Sequence, residues 1–304
     1  MKKTIVTLVA LCATMAAQAT ILRVSNVSGS TAPYSTVQAA LSAAAVGDTI
    51  MLDASSESYD LDYKVNKRVV IIGPGYWLQD NGIIQEGSQR AYIDGCFQIY
   101  TSGVVVMGIW FRSMYIAKNC TDVVIKRCYI HEGVELGTNA DRCVFHQNYI
   151  RGDIREGGAY HQITNNIFIN HFSQGFTFKF TPHSYIAYNT FLGNNSICLW
   201  DCGDCTVEKN ISANGFYDAG SGTSSYNDNI IDESIKVYET SGKSINDAGV
   251  RDLNLSTTHG AFAGDSPYVI SGVPSAPIIE DLVVPTTAEY GSKMNVTIKA
   301  GIQK

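Results

Sequence analysis

Two carboxylates and two cations, Glu135, Asp153, Arg155 and Lys179, share a stretch of chain with three aromatic residues, Tyr100, Tyr115 and Trp200. These types carry recognisable chemistry. Lys179 or Arg155 could take a proton α to a uronate carboxylate, provided that neighbours lower the lysine pKa or hold the arginine in place. Glu135 and Asp153 could instead form the acid/base pair of glycoside hydrolysis. Tyr and Trp rings offer flat apolar faces for stacking on sugars, with polar tips for hydroxyls. The competing reading is a solvated sheet face whose charges pair across strands, Glu135 with Arg155 and Asp153 with Lys179. Any of these requires a fold that gathers residues spread along the chain.

The positioning elements show in a repeat. Val104–Phe111, Val123–Ile130, Cys143–Ile150, Ile163–Phe168, Tyr185–Phe191, Thr206–Ile211 and Tyr226–Ile231 align, with one column reading Ile109, Cys128, Asn148, Asn166, Asn189, Asn210, Asn229. Successive members lie 18 to 23 residues apart. Each unit holds short alternating runs punctuated by Gly and Asn, too brief for helices. Asn tolerates the left-handed conformation at a sharp corner, and its amide can bond the amide of the coil above and below. Such a strip stabilises stacked turns, as side-chain ladders do in other stacked strands. A leucine-rich repeat shares the period, but its leucine lattice is missing. The expectation is a parallel β-helix.

The corner pattern x-Asn-x-[Ile/Phe] resembles that of the right-handed parallel β-helix proteins of the pectate-lyase-like superfamily, over roughly residues 50–240. The segment from Tyr34 to Ile50 looks like that family's capping helix and first strand. Ser35 is expected to cap the helix, Val37, Ala40, Leu41 and Ala44 to line its buried face, and Gly47 to stop it. Such a helix would plug the open end of the core. The resemblance implies an all-β, single-stranded solenoid in which the strand before the first variable turn forms the ligand-facing sheet. Counting back from the asparagine column places Ile99, Ile116, Leu136, Ile154, Phe178 and Leu199 inward. Gln98, Tyr100, Tyr115, Glu135, Asp153, Arg155, Thr177, Lys179, Cys198 and Trp200 then point outward. The catalytic candidates are therefore Lys179, Arg155, Glu135 and Asp153, and the substrate-binding candidates Tyr100, Tyr115 and Trp200. The chain departs from the family's enzymes, however. The Trp-Ile-Asp-His stretch of pectate lyases is absent, and so is the polygalacturonase set of Asn-Thr-Asp, Asp-Asp, Gly-His-Gly and Arg-Ile-Lys. No catalytic residue carries over, no cofactor is expected, and calcium has no assigned ligands. His131, His146, His161, His171 and His183 are expected as surface residues of turns.

Composition bounds the rest. The 304 residues are 45% hydrophobic, enough for a sizeable core, and only 16% charged, with a formal net charge of −6. That balance argues against nucleic acid as a partner. Met1-Lys2-Lys3, the apolar run from Ile5 through Met15 and Ala17-Gln18-Ala19 read as a signal peptide cleaved after Ala19, hence a secreted, periplasmic or cell-surface protein with no membrane span. Seven cysteines then remain, an odd number that does not make a complete disulfide framework. Cys198, Cys202 and Cys205 have the C-x3-C-x2-C spacing of a cluster site without its context, so they are read as core or turn residues and no metal is expected. Residues 20–259 form the expected solenoid with its cap. Residues 260–304 form a tail similar to the ends of secreted β-helix proteins from Bacteroidetes-type bacteria, with Gly260–Ile270 and the Pro274/Pro277 stretch returning along the solenoid. Ile278–Val284 and Met294–Ile298 are expected as strands, Met294, Val296 and Ile298 inward and Asn295 and Thr297 outward. The functional expectation is a monomer that binds and, as a lyase or hydrolase, cleaves an acidic or neutral polysaccharide. The alternative is a non-catalytic surface or adhesin-like protein.

Overall fold

In a computed structural model, the described residues are 19–59, 64–78, 90–169, 177–179, 181–192, 197–219, 223–235, 256–273, 277–283 and 297–302. The stretch before Ala19 that the sequence reads as a signal peptide lies outside them, as do His171, Pro274 and Met294–Val296. Among the described residues no helix is long and apolar enough to cross a membrane.

The chain winds as a right-handed parallel β-helix. Each full coil contributes three short strands, such as Val124–Lys126, Tyr129–Ile130 and Gly133–Leu136. The first of each set stacks into a ten-stranded parallel sheet. The second and third stack into two ladders, fused where Tyr92–Ile99 and Trp110–Ile116 run through both. The inward column of the first sheet, Ile71, Val106, Ile125, Phe145, Ile163, Ile186 and Val207, is fully buried. Each such side chain contributes roughly 1.5–3 kcal/mol.

The asparagine column is real, but its geometry differs from expectation. The left-handed residue at each corner is the one before the column residue, Cys128 or an asparagine: Arg127, Gln147, Asn165, Tyr188, Lys209 and Asp228 have φ from 48° to 58°. These make the bend, which leaves the asparagine free to turn inward. There Asn148, Asn166, Asn189 and Asn210 are completely buried. Each Oδ1 accepts from the backbone N–H of the preceding coil, as in Asn148 N to Asn166 Oδ1 at 2.8 Å. Each Nδ2 donates to the next asparagine's Oδ1 and to a strand carbonyl of the preceding coil, Asn166 Nδ2 reaching Phe145 O at 2.8 Å.

The cap also needs correction. The helix spans Val37–Ala43, and Thr36, not Ser35, caps it, its Oγ1 accepting from Ala39 N at 3.2 Å. Val37, Ala40, Leu41 and Ala44 are buried as expected. Ala44 ends the helix in extended backbone, whereas Gly47 turns the chain into the next strand with φ 93°. Lys67 Nζ donates to the carbonyls of Leu41, Ser42 and Ala44, so a cation covers the negative helix end.

Residues 260–273 run back along the outside of the solenoid as a strap. Gly260 N donates to Lys209 O, Asn165 Nδ2 to the carbonyls of Ala261 and Ala263, Gln147 Nε2 to Pro267 O, and Arg127 Nη1 to Val273 O. The residues that bend the corners thus also clasp the strap. Beneath it, Tyr129, Tyr149, Ile167 and Ile211 point outward from the middle ladder into a second core with Tyr76, Ala261 and Tyr268. The strands Pro277–Val283 and Thr297–Ile302 pair antiparallel in a sheet of their own, so neither covers an edge of the solenoid by pairing with it.

Two histidines expected at turn surfaces are structural. His161 is buried, its Nδ1 accepting from Cys143 N at 3.2 Å. His146 closes a strand and bonds Thr164 Oγ1 on one side and Ser266 Oγ of the strap on the other. Burial pushes both imidazoles down to about 4. The unfolded chain therefore binds more protons than the native one between that value and the ordinary 6.5. Stability should fall as pH drops through this window, and His161→Asn should flatten a urea-unfolding profile measured across it.

Candidate functional site

The outward side chains of the third ladder depend on register. Paired positions run Lys64, Gln98, Tyr115, Glu135, Arg155, Lys179 and Trp200, one from each successive coil. Parallel strands lie about 4.8 Å apart, so this row is a continuous surface. The inward residues sort into two columns where one was expected. Ile99, Ile116 and Leu136 share one, whereas Ile154, Phe178 and Leu199 continue that of Phe97, Met114 and Val134. Asp153 accordingly belongs to a second outward row, opposite Gly133.

A groove of about 390 Å³ opens on this face. Of the seven sequence candidates it gathers five: Tyr100, Tyr115, Glu135, Asp153 and Arg155. Lys179 and Trp200 stand on the same row one and two coils further on and do not line it. Tyr100 and Tyr115 form one wall, rings 6.2 Å apart and inclined at 67°. The Tyr100 hydroxyl donates to Gln98 Oε1 at 3.1 Å, leaving the Gln98 amide nitrogen for a ligand.

Arg155 stands between the two carboxylates. Its Nη2 lies 3.9 Å from Glu135 Oε2 and its Nη1 3.9 Å from Asp153 Oδ2. Both contacts are longer than hydrogen bonds. The anticipated Glu135–Arg155 contact is therefore present, while Asp153 turns to Arg155 on its own strand, with Lys179 a weaker influence. The acids differ in surroundings. Asp153 is 8% exposed, and burial pushes its pKa up against the pull of Arg155. Glu135 keeps nearly half its side chain in solvent. Being on adjacent coils and two residues out of register, they are diagonal neighbours on one face of the parallel pair.

Sequence reasoning missed Gly133, Cys96, Ser113 and Glu132. Gly133 has φ 110°, and a Cβ there would come within 2.6 Å of Asp153 O and 2.9 Å of Asp153 Oδ1. A glycine at a strand start opposite a carboxylate is the available signal, but the register had to be known to see it. Gly133→Ala should displace Asp153 and cost about 2 kcal/mol through strain and overlap, measurable in denaturant unfolding. Cys96 is half-buried beside Ser113, and burial pushes its thiol up, away from the reactive thiolate. Cys202 and Cys205 are buried, their thiols donating to the carbonyls of Trp200 and Thr181. The side chain of Cys198 lies outside the described residues. Among the described residues no set of three or more His, Cys, Asp or Glu side chains is placed to hold a metal ion.

No family model matches this chain, and no curated protein does. A pectin methylesterase from Aspergillus niger is similar in structure, at 12% identity and a TM-score of 0.29, over 81% of this chain and 95% of that one.

Proposed function

We propose that the groove binds a polysaccharide and hydrolyses its glycosidic bonds, with Asp153 as general acid and Glu135 as general base. The observation that supports this is the pairing of unlike carboxylates beside an aromatic wall. One is buried with a raised pKa and so keeps its proton to higher pH; the other is solvated and poised to activate water. An inverting mechanism would hold the two carboxylates about 6.5–9.5 Å apart with a water between them. Arg155 orients both, and Tyr100 and Tyr115 stack on the sugar.

A lyase is less well supported. Lys179 does not line the groove, and the Arg155 guanidinium is flanked by Glu135 and Asp153, which occupy the side a substrate proton would approach. A non-catalytic glycan-binding surface is favoured by that same mutual compensation of charge. Screening the secreted form, free of residues 1–19, against a polysaccharide array decides between them. Hydrolysis predicts reducing ends from the bound glycan and an affinity at least tenfold weaker in Tyr115→Ala. Trp200→Ala should change affinity only for longer chains. Binding with no products over long incubation favours the surface protein, and no binding at all overturns both readings.

A further inference from the structure

The charge around the groove bears on which glycan it takes. Among the described residues, Glu132, Glu135 and Asp153 line it, against one lining cation, Arg155. Arg155 is already divided between two of these acids. Glu132 is met from outside the lining by Arg112, whose Nε donates to Glu132 Oε1 at 2.8 Å. Two more cations of the row lie at the ends of the groove. Lys64 sits 5.6 Å from the centre of the Tyr100 ring, and Lys179 stands on the coil beyond Arg155. Glu156, following Arg155, adds a further negative charge near Asp153.

We infer that the groove selects against polyuronates and takes a glycan whose rings are uncharged or carry amines. The inference rests on the glycan-binding reading above and adds its selectivity. A uronate chain would set one carboxylate on each ring against a lining where the carboxylates of Glu132 and Glu135 are half open and the lining cation is already engaged, and like charges brought together across an interface are strongly disfavoured. The lining cation could serve such a ring only by giving up Glu135 or Asp153. An ammonium on the sugar would instead meet Glu135 and Glu132, both partly open to solvent.

Calorimetry with three hexasaccharides in mildly acidic, low-salt buffer tests this: a glucosamine oligomer, its N-acetylated counterpart and an oligogalacturonate. The expected order is amine, then neutral, then uronate, with the amine-bearing ligand at least tenfold tighter than the uronate. Added salt should shrink that ratio, since these charges are partly exposed. Glu132→Gln should narrow it too, with circular dichroism confirming the fold. Equal affinity for all three, or tighter binding of the oligogalacturonate, overturns the selectivity while leaving glycan binding standing. Binding of none of them removes the glycan reading as well.

Discussion

Asp153→Asn should lower the hydrolytic rate by about 10²–10⁴, the usual worth of a positioned proton donor, while leaving glycan affinity within a few-fold of the parent. The amide keeps the shape of the carboxyl but cannot pass a proton to the leaving oxygen. The pH profile checks the role. An acid whose pKa is raised by burial keeps its proton above the ordinary carboxylate range, so activity should persist there and decline as pH climbs through the raised value. The same shift sets the sign for stability. The native state holds this proton more tightly than the unfolded chain, so the contribution is complete below the unfolded pKa and is lost as pH rises through the folded one. At neutral pH the buried charge therefore opposes folding, and Asp153→Asn should melt higher than the parent. Loss of both rate and stability together would point to a structural role instead.

Asn166→Ala should destabilise the protein by about 3–5 kcal/mol. Its Oδ1 accepts from Asn148 N and Nδ2, and its Nδ2 donates to Phe145 O and Asn189 Oδ1. All these groups are buried in mid-ladder, and truncation leaves a donor and an acceptor without partners at about 1–3 kcal/mol each, besides the cavity. Asn229→Ala, at the last and less buried rung, should cost less than half as much. Equilibrium urea unfolding of both variants measures the difference, and equal losses would contradict the cooperative ladder.

Particular residues show how far the sequence could be read. The column from Asn148 to Asn229 was legible because a coil must repeat its corner chemistry, and that repetition sufficed to put Tyr115, Glu135, Arg155 and Lys179 on one outward row. Which residue adopts the left-handed conformation was not legible: Arg127, Gln147 and Tyr188 have no special claim to it, and stacking forces them there. Nor was the groove. Glycine at position 133, two residues before Glu135, leaves the space into which Asp153 turns, and only the register of neighbouring coils places the two opposite each other. That a tail leaves the repeat near Gly260 could be read from the sequence. Its anchors could not, because Arg127, Gln147 and Asn165 differ in type and meet it only after the coils have stacked.

Solenoids ordinarily behave as one-dimensional chains of neighbours, free to fray inward from either end one unit at a time. Here the backbone of Ser271 accepts from Tyr76 N at 2.7 Å, while Gly260 N is bonded to Lys209 O, so one return segment bridges units far apart in the stack. That bridge makes melting of the first coils and of the later ones a linked event. Hydrogen exchange should accordingly show similar opening free energies along the strapped length, where an unstrapped stack would show a gradient.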